Sequence, residues 1–239
     1  MKFRALRFIF CIFSVNVLWA QNLALPPKVD LFRYSASISE YYLTGKPDVR
    51  IWGWSRDGKI AYSLESVGSF SGILTGTFFI IDTISDDIVF VLEQTKEDFL
   101  TGEDLYNNEY MTDITNAIKT YNIISGQGYD FFRFPINRNN MVYDCQITGV
   151  VYGNHEYGFF NNRFISDYNV AVTANSRSKV IGNYFSSGPG PGALYICGYF
   201  LSPFEERALV VIAEESYIFE GESGLTYRLN GCHLEAGFN

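Results

Sequence analysis

Apolar residues typical of strands are concentrated in two neighbouring stretches of the chain, 50–55 and 59–65, and in the second stretch Ile60, Tyr62 and Leu64 occupy every second position. Such alternation is typical of strands that bury one face of a sheet. Between the two stretches lies Arg56-Asp57-Gly58. Glycine accepts a positive φ without steric cost, and aspartate can bind the amides of its own turn. The pattern therefore predicts a β-hairpin.

Two further stretches, 77–82 and 87–93, are again rich in β-branched and aromatic residues. A segment rich in glycine and serine, 68–76, precedes them, and Asp86-Asp87 suits the turn between them. Residues 45–93 are therefore expected to form an antiparallel meander of four strands.

One helical stretch interrupts the β pattern. Over residues 108–122 apolar residues recur at spacings of three and four, the stripe of an amphipathic helix. They are Tyr110, Ile114, Ala117, Ile118 and Tyr121. Asn107 or Asn108 can cap the first turn, and Lys119 suits the negative end of the helix dipole.

Strand-like runs separated by Asn, Gly, Ser and Pro return over residues 129–239. The predicted strands are 131–136, 141–152, 157–165, 168–174, 179–185, 193–201, 207–213 and 225–229. No linker-like composition divides the chain, so residues 21–239 are expected to form a single β-rich domain. The predicted class is mainly β, with antiparallel meander or propeller-blade-like sheets and one intervening amphipathic helix. A β-sandwich is the alternative.

Two segments of the chain share a weak similarity. Residues 55–65 and 202–213 each contain a serine, a short turn, a basic residue and a β-rich run. Self-similarity of this kind indicates a repeated structural unit, although chance is the other explanation.

The first twenty residues have the pattern of a secretory signal peptide. A basic segment with Lys2, Arg4 and Arg7 precedes an apolar run, 8–19, and Ala20 ends a cleavage site before Gln21. This run is too short for a membrane-spanning helix, which needs about 20 apolar residues. We therefore expect an exported protein, periplasmic or secreted, with no stable membrane span after cleavage.

The charge balance is acidic. The chain has 18 basic and 26 acidic residues and a net charge of −8, and removal of residues 1–20 makes the net charge −11. Nucleic-acid binding needs clustered Lys and Arg, and no basic run follows Arg7. A nucleic acid is therefore not expected as a partner, whereas an acidic surface can attract a basic one.

Three cysteines follow the signal peptide: Cys145, Cys197 and Cys232. Disulfides persist in exported proteins, but an odd number of cysteines leaves at least one thiol unpaired. Two states remain open, one disulfide with one thiol or three buried thiols.

Motifs for catalysis and metal binding are weak. His155 and His233 are the only histidines, and no second histidine completes a zinc-protease motif after His155-Glu156. The acidic residues at 82–87 and 97–104 lack the spacing of a calcium-binding loop. We predict no catalytic residue, no metal site and no cofactor.

Trp52 and Trp54 are the candidate ligand-binding residues. Because they stand two positions apart, they are expected to share one face of their strand. If they line a rim, flat amphipathic rings suit a peptide or glycan surface; if not, they belong to the core.

The segment from Trp54 to Tyr62, W-S-R-D-G-K-I-A-Y, followed by Phe79 to Asp82, resembles one blade of the TolB-like β-propellers. Arg56 stands where those blades usually have proline. The order of signal peptide, blade, helix and β-rich half also resembles a family of predicted secreted bacterial proteins of unknown function. The resemblance implies a blade-like sheet and no established activity.

These features together predict a non-enzymatic interaction or scaffold module of the bacterial envelope, with an envelope protein as its partner. The alternatives are an envelope hydrolase and a glycan- or peptide-binding protein. The oligomeric state stays open.

Overall fold

The computed structural model describes residues 23–31, 46–67, 73–96, 105–157, 160–186, 190–219 and 222–238. The predicted signal peptide and the acidic stretch 97–104 lie outside these residues. The described residues form fourteen strands and one helix.

The first sheet contains the predicted meander. Its four main strands pair in chain order and are all antiparallel: β2 (Asp48–Trp54), β3 (Lys59–Val67), β4 (Leu74–Asp82) and β5 (Asp87–Lys96). Two short strands, β1 (Lys28–Val29) and β6 (Ile124–Ser125), pair along the other edge of β2. The predicted hairpin and meander are confirmed.

The predicted helix is present as α1 (Asn108–Thr120). Asn107 caps it, because its Oδ1 accepts a hydrogen bond from the Tyr110 amide at 2.9 Å. The apolar stripe of the helix packs on the outer face of the first sheet, against Trp52, Phe78 and Ile80.

The second half of the chain forms two four-stranded antiparallel sheets. The outer sheet has the order β11-β10-β9-β8 and contains β8 (Ile136–Arg138), β9 (Met141–Tyr157), β10 (Phe160–Ala174) and β11 (Arg177–Phe185). The middle sheet has the order β14-β13-β12-β7 and contains β7 (Phe131–Phe132), β12 (Ala193–Leu201), β13 (Arg207–Phe219) and β14 (Glu222–His233).

Three of the predicted strands differ from those observed. The predicted strand 131–136 is divided between β7 in the middle sheet and β8 in the outer sheet. The predicted strands 157–165 and 168–174 are instead one continuous strand, β10, which carries register shifts near Asp167. A β-bulge therefore occupies the place where the sequence suggested a turn.

The three sheets stack face to face, with the middle sheet between the other two. Alternate residues of β13 explain this arrangement, because Leu209, Val211 and Ala213 pack towards the first sheet. Their neighbours Ala208, Val210 and Ile212 pack towards the outer sheet. The mainly β class with one helix is confirmed, as an open stack of three sheets covered by α1.

The two similar segments, 55–65 and 202–213, occupy corresponding places in the first and middle sheets. The Ser55 amide donates to the Lys59 carbonyl at 2.8 Å, and the Ser202 amide donates to the Arg207 carbonyl at 2.9 Å. The first turn joins β2 to β3, and the second joins β12 to β13; in each case the two strands are neighbours in their sheet. The weak similarity in sequence thus coincides with a repeated turn structure.

Glycines with positive φ interrupt β2 and β12 as β-bulges. Gly53 has φ +149° and Gly198 has φ +151°. A Cβ on Gly53 would lie 2.2 Å from the Ile124 carbonyl oxygen, and one on Gly198 would lie 2.1 Å from that of Phe132. Each glycine therefore allows a short strand, β6 or β7, to pair against the bulge.

Candidate functional site

Trp52 and Trp54 are both fully buried, and they point to opposite faces of β2. Trp52 packs under α1, whereas Trp54 lies in the core between the first and middle sheets. The bulge at Gly53 adds a residue and shifts the alternation of side chains. The prediction that the two indoles share a face is therefore wrong, and neither indole lines a rim.

The Trp52 indole belongs to a buried chain of hydrogen bonds. Its Nε1 donates to Ser63 Oγ at 3.0 Å, Ser63 Oγ lies 2.9 Å from Tyr106 Oη, and Tyr106 Oη donates to Glu65 Oε1 at 2.8 Å. Because the tyrosine proton is used on Glu65, Ser63 donates its own proton to Tyr106. Trp52 is thus held in place by the interior of the protein.

This chain of hydrogen bonds ends on a buried ion pair between Arg50 and Glu65. Arg50 also donates to the Pro26 carbonyl, and its guanidinium lies 5.6 Å from the centre of the Tyr106 ring. A buried charge is costly unless it is paired and hydrogen-bonded. Arg50 and Glu65 partner each other and structural groups, so we assign this cluster to the packing of the segments before β1 and before α1 on the first sheet.

A second buried carboxylate, Glu214, lies between the middle and outer sheets. Its two oxygens accept hydrogen bonds from Tyr168 Oη at 2.6 Å and from Arg228 Nε at 3.0 Å. Tyr184 stacks on Tyr168 with 4.7 Å between ring centroids. Burial, and then the hydrogen bond to Glu214, raise the pKa of Tyr168. Tyr168 therefore stays protonated and acts as a hydrogen-bond donor.

The three described cysteines are buried thiols that form no disulfide with one another. Burial raises the pKa of Cys145 and Cys197 to about 12 and that of Cys232 to about 11. Because the thiolate is the reactive form of cysteine, these side chains pack as small apolar groups. Of the two states that the sequence left open, the structure shows the three buried thiols.

The remaining polar candidates are distributed among turns and strand ends. His233 ends β14, and its Nδ1 accepts a hydrogen bond from the Glu235 amide at 3.2 Å. The backbone of His155 lies within β9, although the predicted strands 141–152 and 157–165 left this position between them. Asp86 Oδ1 accepts from the Gly231 amide at 2.7 Å and so joins the β4–β5 turn to β14. Within the described ranges, no three His, Cys, Asp or Glu residues are grouped to hold a metal ion.

Among the described residues, strand β5 is packed on only one of its faces. Its side chains Val89, Phe90 and Leu92 contact the core beneath α1. The opposite face points the same way as Ile81, the cross-strand partner of Ile88 on β4, and Ile81 belongs to the core between the first and middle sheets. No described residue of β5 belongs to that core, so the middle sheet does not cover β5.

The uncovered face of β5 consists of Ile88, Val91, Glu93 and Thr95, and we call it the overhanging face. All four side chains are exposed; Ile88 has 60% and Val91 has 55% of its surface in contact with solvent. β5 is also the last strand of its sheet, and in the described part of the chain no strand pairs with its outer edge. This surface is the clearest candidate for recognition of another molecule.

No protein-family model, curated protein or solved structure matches this chain. The resemblance to a TolB-like blade stays a prediction. In the part of the chain that the structure describes, the helix is too short and too polar to cross a membrane.

Proposed function

We propose that this protein is an exported, non-enzymatic interaction module that binds an extended segment of an envelope protein along β5. The overhanging face of β5 carries the proposal, because two large β-branched side chains are exposed beside a strand edge with which no described strand pairs. The proposal involves no cofactor, metal or nucleic acid.

Strand addition is the binding mode that this geometry favours. An extended peptide can pair its backbone with the outer edge of a sheet, and its alternate side chains can then contact one face of that sheet. Near the start of β5, Tyr121 Oη donates a hydrogen bond to the Val89 carbonyl at 2.8 Å, so this carbonyl already has a partner. The stretch after Val89 is therefore the part of the edge that we expect to accept a partner strand.

Charge selects among the occupants of this edge. β5 exposes Asp87 and Glu93, and the whole chain has a net charge of −8. Two copies of this chain, each with a net charge of −8, repel each other, which opposes a β5–β5 dimer. A partner strand that alternates apolar and basic residues instead places apolar groups against Val91 and cations near Glu93.

A synthetic peptide can test this mode of binding. The probe is a fluorescein-labelled decapeptide of alternating valine and lysine with blocked ends, and its anisotropy is measured as purified protein is added. We expect binding of this peptide, but not of the valine–glutamate peptide or of a valine–lysine peptide with a central proline, which removes a backbone donor.

A pair of matched variants locates the binding. The Val91→Lys variant should weaken binding of the valine–lysine peptide about tenfold, because like charges then face each other across the interface. Val180→Lys is the control, since Val180 is exposed to a similar extent, 52%, on β11 at the edge of the outer sheet. Equal binding by both variants, or no binding by the unmodified protein, would show that β5 is not the docking edge.

Export is a separate part of the proposal and is supported by the basic and apolar residues at 2–19. When the gene is expressed in a bacterium with an envelope, we expect mature protein that begins at Gln21. Mass spectrometry of the envelope fraction measures this N-terminus. Recovery of only the uncleaved chain in the cytoplasm would contradict export and leave the β5 test unaffected.

A further inference from the structure

A groove of about 560 Å³ lies between the end of α1, the strand β6 and the β2–β3 turn. Its apolar residues are Ile118 and Ile123, which are buried, and Ile124, which is half-buried. Its polar residues are Arg56, Asp57, Lys119 and Asn122, all of them exposed. None of these residues belongs to the overhanging face of β5.

The local sequence explains why the groove exists. Asn122 takes a positive φ of 54° directly after α1, so the helix ends and the chain turns back into β6. β6 then pairs with Gly53 and Trp54 at the bulge of β2. The turn that follows β2 is thereby brought opposite the last residues of the helix, and no described residue fills the space between them.

The groove has a local charge opposite to that of the whole protein. Neither Arg56 nor Lys119 has an ion-pair partner among the described residues, in a chain with a net charge of −8. The one acidic side chain, Asp57, is bound by Lys59 Nζ at 2.6 Å. That hydrogen bond from Lys59 is the main cause that lowers the pKa of Asp57, so Asp57 stays ionised and partnered.

The Arg56 guanidinium is also oriented, because it lies 5.1 Å from the centre of the Phe204 ring. The end of α1 contributes the opposing effect of a partial negative charge, equivalent to about half an elementary charge. Two full positive charges exceed this partial charge. The groove therefore combines an aliphatic floor with a cationic rim.

We infer that this groove binds an aliphatic carboxylate, a single apolar chain that ends in one carboxylate group. The apolar chain lies against Ile118, Ile123 and Ile124, and the carboxylate lies between Arg56 and Lys119. The volume of 560 Å³ is within the range of small-molecule sites, about 300–1,000 Å³. Branched aliphatic side chains suit an alkyl chain, since contact between apolar surfaces is not directional.

Decanoate is the probe for this site, used below the concentration at which it forms micelles. Its binding to protein with ¹³C-labelled isoleucine methyl groups is followed by NMR. We expect shifts at the methyl groups of Ile118, Ile123 and Ile124 and a dissociation constant of about 0.1–1 mM, as befits a ligand with few heavy atoms. Decanol and acetate, which each lack one half of the recognised chemistry, should bind more weakly.

Charge-neutralising variants separate this site from general binding. Arg56→Gln and Lys119→Gln should each weaken decanoate binding about threefold, the effect of losing one exposed ion pair, and the double variant about tenfold. Arg177→Gln is the matched control, because Arg177 is also exposed but lies on β11 of the outer sheet. If Arg56→Gln does not fold, Lys119→Gln still tests the inference.

Three results would overturn the inference: no decanoate binding by the unmodified protein, equal binding of decanol, or an unchanged dissociation constant in the double variant. Shifts spread over isoleucines outside the groove would likewise show that decanoate binds elsewhere. The peptide test at β5 uses different residues, so either proposal can fail while the other stands.

Discussion

Arg50, Glu65 and Glu214 are charged side chains buried in the interior, and each has a defined partner. Removing one member of such a pair leaves an uncompensated buried charge. This costs far more free energy of unfolding than replacing both members with apolar residues. These residues therefore determine how the layers fit together.

Because the thiols are buried, the protein should become less stable as the pH rises into the alkaline range. Burial raises the pKa of Cys197 from an ordinary value of 9.0 to about 12. Between these values the unfolded chain loses the thiol proton and the folded protein keeps it, so the free energy of unfolding falls as pH rises. This contribution to stability is complete below about pH 9 and is lost as the pH approaches 12.

A Cys197→Ala variant should lose this part of the pH dependence. Urea unfolding at pH 7, 9, 10 and 11 measures it, and a single group contributes at most about 1.4 kcal/mol per pH unit. The difference between the two proteins at pH 7 serves as the control, because it contains only the change in packing. Parallel curves from pH 9 to 11 would contradict the burial of a neutral thiol at this position.

The two tryptophans show what limits prediction at the scale of residues. Alternation predicts that Trp52 and Trp54 share a face, and every residue before the bulge obeys that rule. The signal that could have corrected the prediction is Gly53 itself, since an isolated glycine inside a strand pattern indicates a bulge or a close backbone approach. The overhanging face of β5 was likewise not predicted. Whether its side chains are exposed depends on which sheet lies opposite β5, and this is not visible in the local sequence.

At the scale of elements, the bulge at Gly53 determines how β6 is attached to the first sheet. A Gly53→Ala substitution should destabilise the protein by at least about 3 kcal/mol, because alanine is strained at this φ and its Cβ would meet the Ile124 carbonyl. Thermal unfolding followed by circular dichroism measures the effect.

Gly192→Ala is the matched control for this prediction. A Cβ on Gly192 would meet only the Glu215 carbonyl oxygen, at an ordinary distance of 3.8 Å, and the backbone there has no positive φ. The melting temperature of this variant should stay within a few degrees of that of the unmodified protein, because such a change alters the free energy of unfolding by about 1 kcal/mol or less. If both variants melt together, the bulge tolerates a side chain and this account of β6 is wrong.

Strands and the helix were predictable wherever local chemistry determines them. The turn at Asp57-Gly58 and the stripe of α1 are local signals, and both elements appear with nearly the predicted bounds. The strand β10 was less predictable, because its Ser166-Asp167 irregularity is a bulge supported by pairing with β9 on one side and β11 on the other. A single sequence does not show those neighbours.

At the scale of the whole molecule, the class was predictable but the order of layers was not. The continuous apolar run at 208–213 indicates a buried strand. The local sequence does not show, however, that the two faces of this strand pack against two different sheets. That outcome depends on contacts between β13 and residues about 30 to 160 positions earlier in the chain. The assignment of each sheet to its neighbour is therefore a property of tertiary packing.

The central position of the middle sheet has a consequence for how the chain reaches its native state. Most of the middle sheet, β12 to β14, is synthesised after both of the sheets that it separates. While the chain emerges from a ribosome or a translocation pore, the first sheet and the outer sheet can form before the middle sheet. The faces that later pack against the middle sheet are then exposed. Such a nascent chain needs β12 to β14 to cover both hydrophobic interfaces, and until these strands emerge it exposes the apolar surface that makes folding intermediates prone to aggregation.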